Sequence, residues 1–124
     1  MADPESVVNT ITIAETQPLT LYVGTFGDAV LPSRNLGTTW NPINQGLTSV
    51  HIKLIVVDPA DPNRVFVATI AGLFGSTDGG DTWQPEGLSD DSILDLWVDA
   101  ENSSTLYALP RFRPGLFRTA SGVI

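Results

Sequence analysis

Asp78 and Asp81 stand close together in the run Ser76-Thr77-Asp78-Gly79-Gly80-Asp81-Thr82-Trp83. Paired carboxylates serve general acid–base chemistry or hold calcium. A calcium loop needs further oxygen ligands at set positions, and this run lacks them. A second copy, Ser33-Arg34-Asn35-Leu36-Gly37-Thr38-Thr39-Trp40, carries Asn35 where the first has Asp78. Asparagine keeps the hydrogen-bonding shape and loses the charge, which suits a turn better than a catalyst. A short side-chain oxygen fixes such a turn by accepting from nearby backbone N–H groups, and glycine permits positive φ. Tryptophan buries a large surface, with an indole N–H that needs one partner. Ser33, Asn35, Gly37, Thr39 and Trp40, with Ser76, Asp78, Gly80, Thr82 and Trp83, therefore read as structural turn residues. No catalytic residue, metal or cofactor is expected from them.

Three other groups could meet a ligand. Pro110-Arg111-Phe112-Arg113-Pro114 places two of the six cations of the chain beside an aromatic. Arginine recognises carboxylate and phosphate bidentately; the competing reading pairs Arg111 and Arg113 with neighbouring acids such as Asp90 or Asp91. His51 is the one histidine, and no second histidine or cysteine accompanies it for metal binding. Ser89-Asp90-Asp91-Ser92 is an acidic run of the kind that usually forms a solvated turn. Asn102-Ser103-Ser104 fits the glycosylation pattern, which matters only in a eukaryotic secretory setting.

The elements that position these residues repeat. Trp40 and Trp83 are 43 residues apart, as are Ser33 and Ser76, and Gly72-Leu73-Phe74 and Gly115-Leu116-Phe117. Leu21-Tyr22-Val23, Val65-Phe66-Val67 and Leu106-Tyr107-Ala108 recur upstream. So do Ile11 to Glu15, Leu54 to Asp58 and Asp95 to Asp99. Three units follow, at about 7–46, 47–88 and 89–124. Each holds four short strands, A to D, punctuated by Pro and Gly. No window has a 3.6-residue apolar period, so essentially no helix is expected. Four strands in each repeat of this length form the blade of a β-propeller. The predicted class is all-β: about three four-stranded antiparallel blades, the third incomplete, with its strand D missing or reduced to Gly122-Val123-Ile124. Strand D of the first unit is expected at Thr39–Pro42. Trp97, aligned with Val56 and Ile13, is expected in the core. Strands alternate in direction, so the C–D and A–B turns share one face. The B–C and D–A loops, with His51, Asp90, Asp91, Arg111, Phe112 and Arg113, share the other, where propellers tend to bind ligands.

The run Ser76 to Trp83 resembles the Asp-box, Ser-x-Asp-x-Gly-x-Thr-Trp, of the bacterial neuraminidase-type repeat. That repeat occurs in sialidases, sortilin-like receptors, xyloglucanase-type glycosidases and photosystem II assembly factors. All fixed positions match in the middle unit; Asn35 departs in the first, and the third, Thr119-Ala120-Ser121-Gly122, stops short. Asp58-Pro59 and Val65-Phe66-Val67 ahead of the box look like the assembly-factor type. The resemblance covers nearly the whole chain and is one of fold. A sialidase would need an arginine cluster, a nucleophilic tyrosine and acidic partners. Arg111, Arg113 and Arg118 lie close together, but Tyr22 and Tyr107 fall in B strands, beside the apolar position of Phe66. A glycosidase would need a carboxylate pair across a channel that three blades do not enclose. The expectation is thus a non-catalytic binding or scaffold module, with a fragment of a larger Asp-box glycoside hydrolase or sialidase-like propeller as the alternative.

Composition sets the outer limits. Of 124 residues, 42% are hydrophobic and 16% charged, as in a folded chain. The net charge of −8 disfavours nucleic acid and anionic membrane surfaces as partners. There is no cysteine, so no disulfide framework and no thiol chemistry, and the compartment stays open. No stretch reaches the ~18 apolar residues of a membrane span, and Met1 to Ser6 lacks the pattern of a signal peptide; a soluble protein is expected. Closed propellers have roughly four to eight blades. Three leave open faces and an unpaired edge, so a homo-oligomer is expected. The simplest is a two-fold dimer of six blades, with Asp3–Val8 supplying the missing outer strand; a protein or a carbohydrate is the other expected partner.

Overall fold

The computed structural model describes residues 7–16, 19–42, 44–88, 92–99, 101, 105–112, 114–118 and 122–123. Among these there is no helix. The strands are β1 (Val7–Ala14), β2 (Thr20–Phe26), β3 (Val30–Ser33), β4 (Ile52–Val57), β5 (Val65–Thr69), β6 (Gly72–Ser76), β7 (Gln84–Gly87), β8 (Ile93–Val98), β9 (Leu106–Pro110), β10 (Phe117–Arg118) and β11 (Gly122–Val123). They form three antiparallel sheets, β1-β2-β3, β4-β5-β6-β7 and β8-β9-β10-β11. The blade-like array expected from the repeat is the observed architecture.

Register gives the first two strands of the three sheets equivalent positions. Tyr22 faces Thr12 and Pro32, Phe66 faces Val56 and Gly75, and Tyr107 faces Trp97 and Arg118. Each inner strand carries a bulge at its start, at Asn9, Lys53 and Leu94. A bulge bends its strand and re-aims the extra side chain. Asn9 Nδ2 donates to the Ile52 and Lys53 carbonyls of the next sheet, each at 3.2 Å. Lys53 Nζ donates to Ser92 Oγ at 2.8 Å, again one sheet onward.

Strand alternation gives each sheet two apolar faces. On the middle sheet, Ile55, Val65, Val67 and Phe74 pack with Tyr22 and Val30 of the first. Its opposite face, Phe66, Ala68 and Leu73 with Leu54 and Val56, packs against Leu96, Val98, Leu106, Ala108 and Phe117 of the third. Each sheet thus has a forward face and a backward face, and two sheet-to-sheet cores follow from them.

Three expectations need correction. The first blade has no strand over Thr39–Pro42: its sheet has three strands. Asn41 N donates to Pro32 O, and the Asn44 side chain, in place of a strand, accepts from Val30 N at 3.0 Å. The segment then turns to the next sheet, where Gln45 bridges Thr82 and its carbonyl accepts from Trp83 N at 2.8 Å. Trp97 is not a core residue but 69% exposed. Register aligns it with Val56 and Thr12 rather than Ile13, which puts it on the forward face of the third sheet. Val7 and Val8 open β1, paired with Phe26 and Thr25, instead of forming an outer strand of the third sheet; Asp3 to Ser6 lie outside the described residues. The third sheet does end in the short β11, as the reduced strand D anticipated.

Phe66 is 2% exposed at the centre of the second core. Phe66→Ala should cost about 3–5 kcal/mol, read as a lower midpoint in chemical denaturation. Truncating the exposed Leu36 to Ala should leave that midpoint nearly unchanged.

Candidate functional site

Both tryptophan-ended turns have the conformation their residues demand. Ser76 Oγ accepts from Gly80 N at 2.9 Å and donates to Asp78 Oδ1 at 2.7 Å. Asp78 Oδ1 also accepts from Thr82 N at 2.9 Å, and Oδ2 accepts from the Thr82 hydroxyl at 2.6 Å. Ser33 and Asn35 repeat the pattern: Ser33 Oγ accepts from Gly37 N and donates to Asn35 Oδ1, and Thr39 N donates to Asn35 Oδ1, each at 2.9 Å. The last bond reverses. Asn35 Nδ2 donates to Thr39 Oγ1 at 2.7 Å, so the threonine hydroxyl accepts where Thr82 donates. A hydroxyl serves either way, which is why Asn and Asp exchange here.

Gly80 has φ of 93° and Gly37 of 87°, a region that excludes most side chains. A Cβ on Gly80 would lie 3.3 Å from the Trp83 ring, and one on Gly37 3.4 Å from the Trp40 ring. Trp83 is buried and Trp40 half-buried. The Trp83 indole Nε1 is buried with no hydrogen-bond partner among the described residues. Hydrogen bonds from Thr82 and Ser76 hold the Asp78 carboxyl down from 3.8 to about 2. Asp81 instead lies 3.9 Å from the Arg34 guanidinium, an exposed pair that contributes little. The two carboxylates therefore have separate partners, and among the described residues no group of acids, histidines or cysteines could hold a metal.

Sequence reasoning missed Tyr22. It is 1% exposed, and its hydroxyl donates to the Gly79 carbonyl of the next sheet's turn at 2.7 Å. Burial pushes its phenol above the ordinary value, with Arg34 opposing and Asp81 and Asp78 reinforcing. The signal was a polar tip at a position that the neighbouring unit fills with Phe66.

The opposite loops are less connected. His51 is half-buried, bridges Phe26, and sets its ring 5.8 Å from that of Phe26. Phe112 is 80% exposed, and the Arg111 guanidinium lies over its ring at 5.3 Å. Arg111 N donates to Ser92 O at 2.8 Å, tying the loop to the start of β8. Asp90, Asp91 and Arg113 lie outside the described residues, as do Asn102 to Ser104 and Thr119 to Ser121. No hydrogen bond, ion pair or ring contact joins His51 to Arg111 or Phe112. What gathers apolar side chains at the surface is the forward face of the third sheet. There a groove of about 190 Å³ is lined by Asp95, Leu96, Trp97, Tyr107, Leu109 and Leu116.

No family model matches the chain, and no curated protein matches it. Among solved structures it is similar to an ancestral GH74 enzyme, with a TM-score of 0.76 and 20% identity. The match covers 100% of this chain and 19% of that one. At this identity the likeness shows the fold, a propeller-like one.

The Asp78 carboxyl, lowered from 3.8 to about 2, stabilises the fold fully above its unfolded value, and that contribution is lost as pH falls through the folded one. Asp78→Asn, which copies Asn35, should fold and should lack this part of the acid sensitivity between about pH 4 and pH 2. Asp78→Ala removes the acceptor for Thr82 and should lower the melting temperature at pH 7 further than Asn does. Thermal melts of the three proteins across that pH range check both statements.

Proposed function

We propose that this chain is a non-catalytic blade module of the Asp-box β-propeller type, a binding or scaffold platform whose ring is completed by self-association. One observation supports the reading best. The forward face of the third sheet exposes Leu94, Trp97, Leu109 and Leu116, at positions whose counterparts on the first two sheets face a neighbouring sheet. On the first sheet, β1 exposes Ile11 and Ile13, whose counterparts Ile55 and Val57 pack on the sheet before them. Apolar surfaces of this kind mark interaction sites. A forward face and a backward face left open at opposite ends of one array suit each other. Two chains joined head to tail, twice, make a closed ring of six blades. Its non-catalytic character is supported by the separate engagement of the two carboxylates, Asp78 by Ser76 and Thr82 within its turn and Asp81 by Arg34 of the preceding turn.

A second reading has its own support. The likeness to a GH74 enzyme takes in all of this chain and 19% of the other, so further blades of a longer, glycosidase-like polypeptide would meet the same faces. In that case the groove at Trp97 is an internal blade junction, and carbohydrate chemistry would belong to the whole ring.

Sedimentation velocity at micromolar concentration separates the readings. Self-association predicts a dimer that Trp97→Asp converts to folded monomer. A wild-type chain that is a folded monomer overturns it and favours the longer polypeptide.

A further inference from the structure

At the first junction of the array, the second-strand aromatic of one unit reaches the tryptophan-ended turn of the next. Tyr22 donates to Gly79 O at 2.7 Å. Gly79 is the fourth residue of its turn, with φ of 71°. The next unit has Phe66 at the same register position, without a hydroxyl, and the turn that would follow it is the degenerate Thr119-Ala120-Ser121-Gly122. The hydroxyl is present where the following segment carries the full Ser-x-Asp-x-Gly-x-Thr-Trp pattern and absent where it does not. The third unit then restores it: Tyr107 is the counterpart of Tyr22, half-buried on the open forward face.

We propose that Tyr107 is an inter-copy lock, its hydroxyl donating to the Leu36 carbonyl of a second copy of this chain. Leu36 is the fourth residue of the first unit's turn, where Gly79 stands in the second. It has φ of 57°, a region uncommon for leucine, so its turn has the conformation of the Gly79 turn and presents the carbonyl alike. Leu36 is also 74% exposed. The occupant follows from continuity with the chain's own junctions. Tyr107 needs a backward face that carries an intact turn, and the first unit of another copy offers both, with Ile11 and Ile13 to set against Trp97 and Leu109. The bulged Leu94 fits the same junction, because its counterparts Asn9 and Lys53 both reach the following sheet.

The inference rests on self-association, and the test separates the two. The wild-type mass in sedimentation velocity reports association itself; a monomer ends both ideas. Given a dimer, Tyr107→Phe should raise its dissociation constant by roughly three- to tenfold, the effect of one hydrogen bond, while the thermal midpoint of the monomer at high dilution is unchanged. An unchanged dissociation constant overturns the lock and leaves association standing. With p-benzoylphenylalanine in place of Tyr107, irradiation should give a dimer band whose linked peptide carries Leu36. Linkage between two copies of the segment around position 107 would mean a symmetric face-to-face pair and overturn the proposal. Linkage to any other peptide overturns it as well.

Discussion

A blade can bury both of its apolar faces only between two other blades. This constraint organises the whole chain. The middle sheet meets it, and so its strands β5 and β6 are buried throughout. Each outer sheet meets it on one side. The consequence is a direction built into a repeat: every sheet has a face that looks onward and one that looks back, and no sheet can be turned over without exposing the wrong set of side chains.

The inter-sheet polar contacts follow the same direction. Asn9 and Lys53 reach onward from their bulges, and Tyr22 reaches onward to Gly79. Gly79 N in turn donates to Asn63 O at 2.8 Å, within its own sheet. The turn that ends in Trp83 is therefore held from two sides, by its own unit and by the one before. Its serine, aspartate and glycine set the conformation, and the preceding tyrosine places it against the neighbouring sheet. The Ser33 turn has the same internal bonds through Asn35, so the conformation does not need a charge, and the shape of the turn outlasts the loss of its acid.

The repeat was legible in the sequence because turn chemistry and strand alternation are local. Spacing of Ser33 and Ser76, and of Trp40 and Trp83, located the turns and the C strands before them. What was not legible depended on the neighbour. Trp97 reads as a core residue when it is judged by hydrophobicity, but its counterpart Val56 is covered because the third sheet packs on that face, and no described sheet packs on the same face of the third. The fourth strand of the first unit carries the right residues at Thr39 and Trp40, yet the segment after them bonds to the next sheet through Gln45. The tyrosine contact was hidden for the same reason, since 57 residues separate donor and acceptor and no local pattern joins them.

The Arg111–Phe112 loop obeys a different logic. Arg111 rests over Phe112, and a cation above an aromatic ring is stabilised without any partner beyond the loop. The loop is also anchored by its backbone bond to Ser92. A guanidinium held on an exposed ring has less side-chain freedom than a fully solvated one. The same contact is a complete local arrangement in itself. The forward face differs in this respect. Trp97, Leu109 and Leu116 are exposed among the described residues, on the face that the first two sheets turn toward a neighbour. The direction of the repeat thus decides which side chains stand on that face.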